Sequence, residues 1–409
     1  MGTAQHLSRL TIALLPALAF ATLPAQARLP VEAIQAQTEI PEDLLLDVGI
    51  QVFDPGLPED DDHALEDEGV FPGLRKSEAR YIPFLLKNTL ESTGHWGAVR
   101  IHPGNGRTTE VMVIGTIVHS NGRSLILDVR VEDASGRKWS DRRYEERVET
   151  LAYADDPPEV RDPFQSLYNE LANDMLEERE SLKPEKLREL RQISMLRFAA
   201  DLFPSTSADY LKVSGRGRYR INRLPAADDP MLQRIAMIRE REEMLVDTIN
   251  EYYANFQPRM AEPYDDWRKY SFEEQIALEQ IRRQARAQKI FGGLLVVAGI
   301  LAGGNSPSSR TTRQAAVLGG AIAVKSGMDK SKEAKIHEEA MKELAASFDS
   351  EITPLVVEVE GRTLRLEGSA ETQYDEWRRL LREIFTTETS LPVDLNTPVE
   401  QDTSQPAAN

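Results

Sequence analysis

Residues 111–144 read VMVIGTIVHSNGRSLILDVRVEDASGRKWSDRRY. Apolar side chains alternate with polar ones on both sides of Asn121-Gly122, a dipeptide that favours a tight hairpin turn. Asp133-Ala134-Ser135-Gly136 supplies a second turn signal. Strands over 111–118, 125–131 and 138–144 follow, with links too short to hold a helix. Upstream, Leu46, Val48, Ile50 and Val52 alternate with Asp47, Gly49 and Gln51, which marks a strand ending near Asp54. An acidic loop at 59–68 comes next. A helix then carries Ile82, Leu85, Leu86 and Leu90, with Pro83 expected in its first turn because proline lacks the N–H a helix interior needs. Val99 and Ile101 make a short strand. Downstream, Asp162-Pro163 places a cap and an N1 proline before a helix with Phe164, Leu167, Leu171 and Met175 on its buried face. The order is β-α-β-β-β-β-α over residues 40–180, an α+β sandwich with helices on one sheet face.

These segments resemble the periplasmic domain shared by the curli-export protein CsgG, the N-terminal part of TolB, and lipoprotein activators of penicillin-binding proteins. "LLLDVGIQVFD" is similar to their first strand, and "YIPFLLKNTLESTGHWGAVRI" to their helix, turn and second strand. "EVMVIGTI" is similar to their strand ending in a glycine, here Gly115. "LILDVRVEDASGRKW" is similar to their strand-turn-strand with a D-x-x-G turn, here Asp133 and Gly136. The resemblance implies contact with other proteins in assembly, export or activation. The cysteine that carries the lipid in relatives is missing, and so are long hairpins that would build a pore.

The chain has 409 residues, no cysteine, and 67 acidic against 49 basic side chains, a net charge of −18. Disulfides, thiol catalysis and cysteine-ligated zinc are thereby removed. So strong an acidic excess argues against a nucleic-acid partner, because phosphate affinity needs a basic surface. Residues 1–27 read as a secretory signal peptide: Arg9, an apolar run from Leu10 to Leu23, then Ala25-Gln26-Ala27 as the cleavage pattern. The bacterial periplasm is the expected location, with cleavage after Ala27.

The region 184–289 reads as mainly helical. A strand-like stretch interrupts it, where Arg216, Arg218 and Arg220 alternate with Gly217, Tyr219 and Ile221, flanked by Lys212 and Arg223. This basic patch would suit anionic headgroups or an acidic partner. The plainer reading is a solvated strand face, paired with the acidic loop at 59–68. Met231, Ile235, Ile238, Leu245, Ile249, Tyr252 and Phe256 recur at spacings of three and four, and Glu242 alone breaks the stripe. Pro258 and Pro263 are expected to end that helix. A second helix is expected from Ser271, ending in Arg282, Arg283, Arg286 and Lys289. An intramolecular helical pair is the plain reading of this seam, a dimer the other.

Residues 290–304, IFGGLLVVAGILAGG, carry no charge, and 315–324 are again apolar. Gly299 and Gly303, and then Ala315, Gly319, Ala323 and Gly327, fall four apart, which places small residues on one helix face for close packing. A glycine-zipper-like helical hairpin over 290–328 follows. Fifteen helical residues rise about 22 Å, short of a hydrocarbon core of about 30 Å. The hairpin would therefore dip into one leaflet, pack on copies of itself, or be buried as core.

Residues 330–386 read as a small α-β-β-α unit. "VVEVEGRTLRLEGSAETQYDEW" is similar to half of a BON domain, over 355–385, which implies a module binding phospholipid or partners. Residues 387–409 are polar and proline-dotted, a disordered tail. No H-E-x-x-H, G-x-S-x-G or Walker pattern is present, so no catalytic, metal or cofactor residues are assigned. The expected function is a non-enzymatic cell-envelope factor contacting an envelope protein and, through 290–328, a membrane or a second copy. A fully soluble periplasmic adaptor and an envelope-polymer hydrolase are the alternatives.

Overall fold

The computed structural model describes residues 30–58, 72–104, 109–148, 153, 162–202, 209–226, 229–302, 355–359, 362–366 and 368–389. The acidic loop at 59–68 and the second arm of the 290–328 hairpin lie outside them. So do Gly303, Ala315, Gly319, Ala323 and Gly327, and so do residues 390–409 of the expected tail, whose first three residues, 387–389, are helical instead.

The α+β class and the expected element order hold. A five-stranded sheet is built from β1 (Val48–Gln51), β2 (Val99–His102), β3 (Val111–Ser120), β4 (Ser124–Asp133) and β5 (Lys138–Arg147). Its spatial order is β2-β1-β3-β4-β5. β1 is parallel to both neighbours, while β3, β4 and β5 run antiparallel. On β4 the alternation is unbroken: Leu125, Leu127, Val129 and Val131 are buried, and Ile126, Asp128, Arg130 and Glu132 are not. One face of this half meets the core, as a period of two requires. Helices α1 (Pro72–Thr93) and α2 (Gln165–Glu180) supply the other side of that core through Ile82, Leu86, Leu90, Phe164, Leu167 and Leu171. Asp162 starts α2 as expected, its carboxylate accepting from the Phe164 N–H at 2.9 Å.

Two turns show why their residues are there. At the first, Asn121, Gly122 and Arg123 link β3 to β4, so the turn lies at the expected Asn121-Gly122; Asn121 closes it by accepting from both the Arg123 and Ser124 N–H groups. At the second, buried Asp133 gathers the Ser135 N–H, the Arg137 N–H and the Trp139 indole, and Gly136 takes a φ of +75°. The aspartate of the D-x-x-G turn is thus a turn organiser.

Pro83 does not lie in the first turn of α1 but well inside it. A proline there leaves the carbonyl four residues earlier without its helical donor. That carbonyl is Ala79's, and the Phe53 N–H, just beyond β1, donates to it at 2.9 Å. A sheet-to-helix bond thus replaces the missing helical one.

After α3 (Pro184–Leu202), residues 209–223 form a hairpin rather than one strand: β6 (Leu211–Val213) and β7 (Tyr219–Ile221) pair antiparallel. Its turn is held by Ser214 and by Gly217 at φ +69°. Glycine carries such a left-handed backbone without steric penalty.

Pro258 and Pro263 do not end the next helix. α4 runs from Pro230 to Ala302, 73 residues, and the helix expected to begin at Ser271 is its continuation. It would measure about 110 Å if straight. Packing outweighs the two lost hydrogen bonds: Met260, Tyr264 and Trp267, around and beyond the prolines, are buried against Leu74 and Tyr81 of α1. The course of α4 is fixed at four levels of the sheet. Arg239 meets Glu110 before β3, Asn250 meets Ile101 on β2, Ser271 meets Gly122, and Glu279 meets Arg123 and Arg147. The helix therefore follows the direction of β3 and passes the β3–β4 turn on its way to Ala302.

The C-terminal part holds the expected hairpin, β8 (Leu355–Val359) with β9 (Arg362–Leu366), followed by α5 (Ala370–Thr389). Tyr374, Trp377, Leu381, Ile384 and Phe385 of α5 share one buried cluster with Phe198 of α3, the α4 seam and Ile101 of β2.

Candidate functional site

The α4 seam is buried as its spacing implies, but its partner differs from the expected one. Ile235, Ile238, Leu245 and Ile249 pack against α5, α3 and β2 rather than against a second helix beginning at Ser271. In the last turns Tyr253 is buried and Tyr252 only partly. Glu242, the break in the stripe, is 2% exposed. It accepts from the Tyr374 hydroxyl at 2.6 Å and lies 3.8 Å from Arg378, whose guanidinium also pairs with Asp201 of α3. An unpaired buried carboxylate would cost several kcal/mol, so these partners are what makes Glu242 tolerable there. Burial pushes the Tyr374 hydroxyl well above its usual range, and the neighbouring Glu242 adds to the effect.

A second polar group sits where the sheet meets α4. Arg239 pairs with Glu110 at 3.2 Å, and Arg100 with Asp247 at 2.6 Å. Burial pushes the Glu110 carboxyl up, while Arg239 opposes it. His102, 3% exposed, lies beside this group. Burial, then repulsion from Arg100, Arg378 and Arg239, lowers its imidazole from 6.5 to about 3, so it is neutral at physiological pH. A third group joins Glu78 to Ser120 and Tyr264 and pairs it with Arg75, tying the end of β3 to α1 and α4. Burial pushes the Glu78 carboxyl up, against the pull of Arg75. All three groups join one element to another, and every bond they make is internal. Their chemistry is that of clamps.

The cavity between α1 and α4, lined by Tyr81, Phe84, Tyr253, Phe256 and Met260, has a volume of about 30 Å³. That admits a water or two and not an organic substrate. His95 and His119 bond to the Ile34 carbonyl and to Asn121, far from any shared centre. Among the described residues, no three His, Asp or Glu side chains are grouped to hold a metal.

Of the residues singled out in the sequence, Gly299 lies in the last turn of α4, and Arg282, Arg283, Arg286 and Lys289 lie on the same helix just before it. The stretch 290–302 is thus continuous with the clamped part of α4. Among the described residues no helix is long and apolar enough to cross a membrane. The basic stretch is confirmed as surface: Lys212, Arg216, Arg218, Arg220 and Arg223 are all exposed. Arg216 lies in the hairpin turn, and Arg218 and Arg220 share one face with Lys212, which stands directly opposite Arg220. The structure does not bring this patch to the Arg282–Lys289 segment. Tyr219 of the hairpin is bonded to Ser135 at the β4–β5 turn, whereas α4 passes Gly122 at the other end of β4.

Sequence reasoning missed Asn250 and the α5 clamp. Glu242 was the one visible signal, a lone acid in an apolar stripe. Comparison with protein-family models, curated proteins and solved structures gives no match.

Proposed function

We propose that this protein is a non-enzymatic factor of the bacterial cell envelope that carries an apolar helix end on a folded α/β body. In this reading the body contacts an envelope protein, and residues 290–302 dip into one membrane leaflet. The observation that carries it is the unbroken helix Pro230–Ala302. Its first part is clamped by Arg239, Asn250, Arg268 and Glu279, and its last thirteen residues carry no charge. Thirteen residues rise about 20 Å, enough for one leaflet and too little for a span. The signal-like segment 1–27 supports the location, and the resemblance of residues 40–180 to periplasmic interaction domains supports the partner class.

The test is membrane flotation of the full chain with neutral phosphatidylcholine vesicles. Wild type should float. Val297→Asp with Ile300→Asp should stay at the bottom of the gradient while its urea unfolding curve is unchanged. A wild-type chain that remains soluble and monomeric beside the vesicles would sink this reading. Unfolding of the double variant would assign 290–302 to the core instead.

A further inference from the structure

The hairpin β6–β7 carries an electrostatic anomaly. Strand alternation puts Tyr210, Lys212 and Ser214 on the same face as Arg218, Arg220 and Asn222. Lys212 and Arg220 stand directly opposite each other, an arrangement that is destabilising by itself. Arg216 extends the array at the turn and Arg223 at its base. None of the five cations makes an ion pair among the described residues. Elsewhere in this acidic chain, arginines such as Arg75, Arg137, Arg239 and Arg378 sit on carboxylates. The array is also held rigidly. The Tyr219 N–H donates to the Ser135 carbonyl at 2.9 Å, and a Cβ on Gly136 would come within 2.6 Å of the Gly217 carbonyl. Arg197 stacks on the Tyr219 ring from the body side, at 4.2 Å. Repulsion that could be relieved by fraying is thus retained on a fixed scaffold. Two large apolar side chains at the margins are exposed as well, Val213 at 59% and Leu224 at 52%.

We infer that the outer face of β6–β7 docks on an anionic phospholipid surface. Charge complementarity is the first argument: a face whose cations Lys212, Arg218 and Arg220 make no ion pair among the described residues, with Asp229 only at its base beside Tyr210, matches a sheet of phosphates. Its shape is the second. Three-residue strands and a short turn are too short to form a groove that would seat a peptide, and their cations are all exposed. Leu224, just beyond β7, adds a shallow apolar contact at the rim of that plane, whereas Val213 alternates onto the opposite face with Tyr219. The net charge of the whole chain is −18, so the hairpin is a basic island in an acidic protein. The docking stands apart from the reading of 290–302, because the hairpin and the contact of α4 with Gly122 lie at opposite ends of β4.

The experiment uses flotation of the full chain with vesicles of phosphatidylglycerol and phosphatidylcholine, one to one, against phosphatidylcholine alone. It is done in the Val297→Asp/Ile300→Asp background, so that binding through the α4 end does not contribute. Each cation near an anionic surface is worth about fivefold in partition. Arg216→Gln, Arg218→Gln and Arg220→Gln together should weaken binding to the anionic vesicles by about 100-fold. Added salt should do the same to the parent. The triple variant removes unpaired, mutually repelling groups and should fold at least as stably as its parent. Equal binding of parent and triple variant to anionic vesicles overturns the inference. So does retention of the parent by polyglutamate with no binding to anionic vesicles, which would assign the face to an acidic protein. Loss of neutral-vesicle binding by the wild type bears only on the α4 end.

Discussion

Asn250 makes both backbone hydrogen bonds of Ile101: its carboxamide oxygen accepts from the Ile101 N–H at 2.8 Å, and its nitrogen donates to the Ile101 carbonyl at 2.9 Å. Ile101 lies on β2, an edge of the five-stranded sheet, so a side chain of α4 does there what a further strand would do. An uncovered edge is a template for pairing with another chain, and here a helix closes it.

Asn250→Leu should therefore destabilise more than an ordinary surface change. It leaves two buried backbone groups without partners, at about 1–3 kcal/mol each. Asn250→Asp should fail as well, because it cannot donate to the Ile101 carbonyl. The check is the midpoint of urea unfolding; a shift of either variant under about 0.5 kcal/mol would remove the edge-capping role.

Pro83→Ala tests the bond between Phe53 and Ala79. In a free helix the change should stabilise by about 3 kcal/mol. Here the new N–H would compete with the Phe53 N–H for the same carbonyl, so the gain should largely vanish. Thermal unfolding of the two proteins decides it, and a full gain would show that the Phe53 bond contributes nothing.

Gly122→Val should loosen α4 where it passes the β3–β4 turn. A Cβ at Gly122 would lie 1.7 Å from the Arg268 carbonyl oxygen, backbone against backbone. The contact must open, at a cost of about 1–3 kcal/mol or more. Amide hydrogen exchange should rise over 264–280 and remain low at 235–250. Uniform loss of protection would mean that the whole body, rather than the packing of α4 on the β3–β4 turn, depends on this glycine.

His102 sets a pH dependence with a definite sign. Its folded pKa is depressed to about 3 from 6.5, by burial first and by Arg100, Arg378 and Arg239 next. Below pH 6.5 the unfolded chain takes up a proton that the folded chain refuses, so stability falls as pH falls, by about 1.4 kcal/mol per unit. Asp247, which faces it from α4, offsets part of the repulsion. Glu78 and Glu110, pushed up by burial, act with the opposite sign but are common to wild type and variant. His102→Phe should match the wild type near pH 8 and exceed it increasingly between pH 6 and 4.5. Parallel stability curves across that range would contradict the assignment.

Much of the N-terminal sheet could be read from the residues, because its signals are local. Period-two alternation on β1 and β4, and Asp162 before α2, specify their elements with little help from distant parts. The candidate sites were legible only in part. Arg218 and Arg220 were visible as a basic patch, but a turn at Gly217 cannot be told from a strand by alternation alone. The prolines misled for a different reason. Pro83, Pro258 and Pro263 each remove a local hydrogen bond, and local reasoning then ends or shifts the helix. Phe53 replaces one of those bonds, and the burial of Met260, Tyr264 and Trp267 outweighs the others.

The sequence by itself determined the α+β order, the absence of cysteine chemistry, the apolar stretch after Lys289 and the uneven placement of charge. These follow from composition and short-range periodicity, which act within a few residues. Only the tertiary structure decided that α4 is one helix, that Glu242 belongs to Tyr374 and Arg378, and that Asn250 caps β2. It also decided that the basic hairpin and the contact of α4 with Gly122 lie at opposite ends of β4. Those relations join residues far apart in the sequence, and their energies exist only once burial has brought the partners together and removed water from between them.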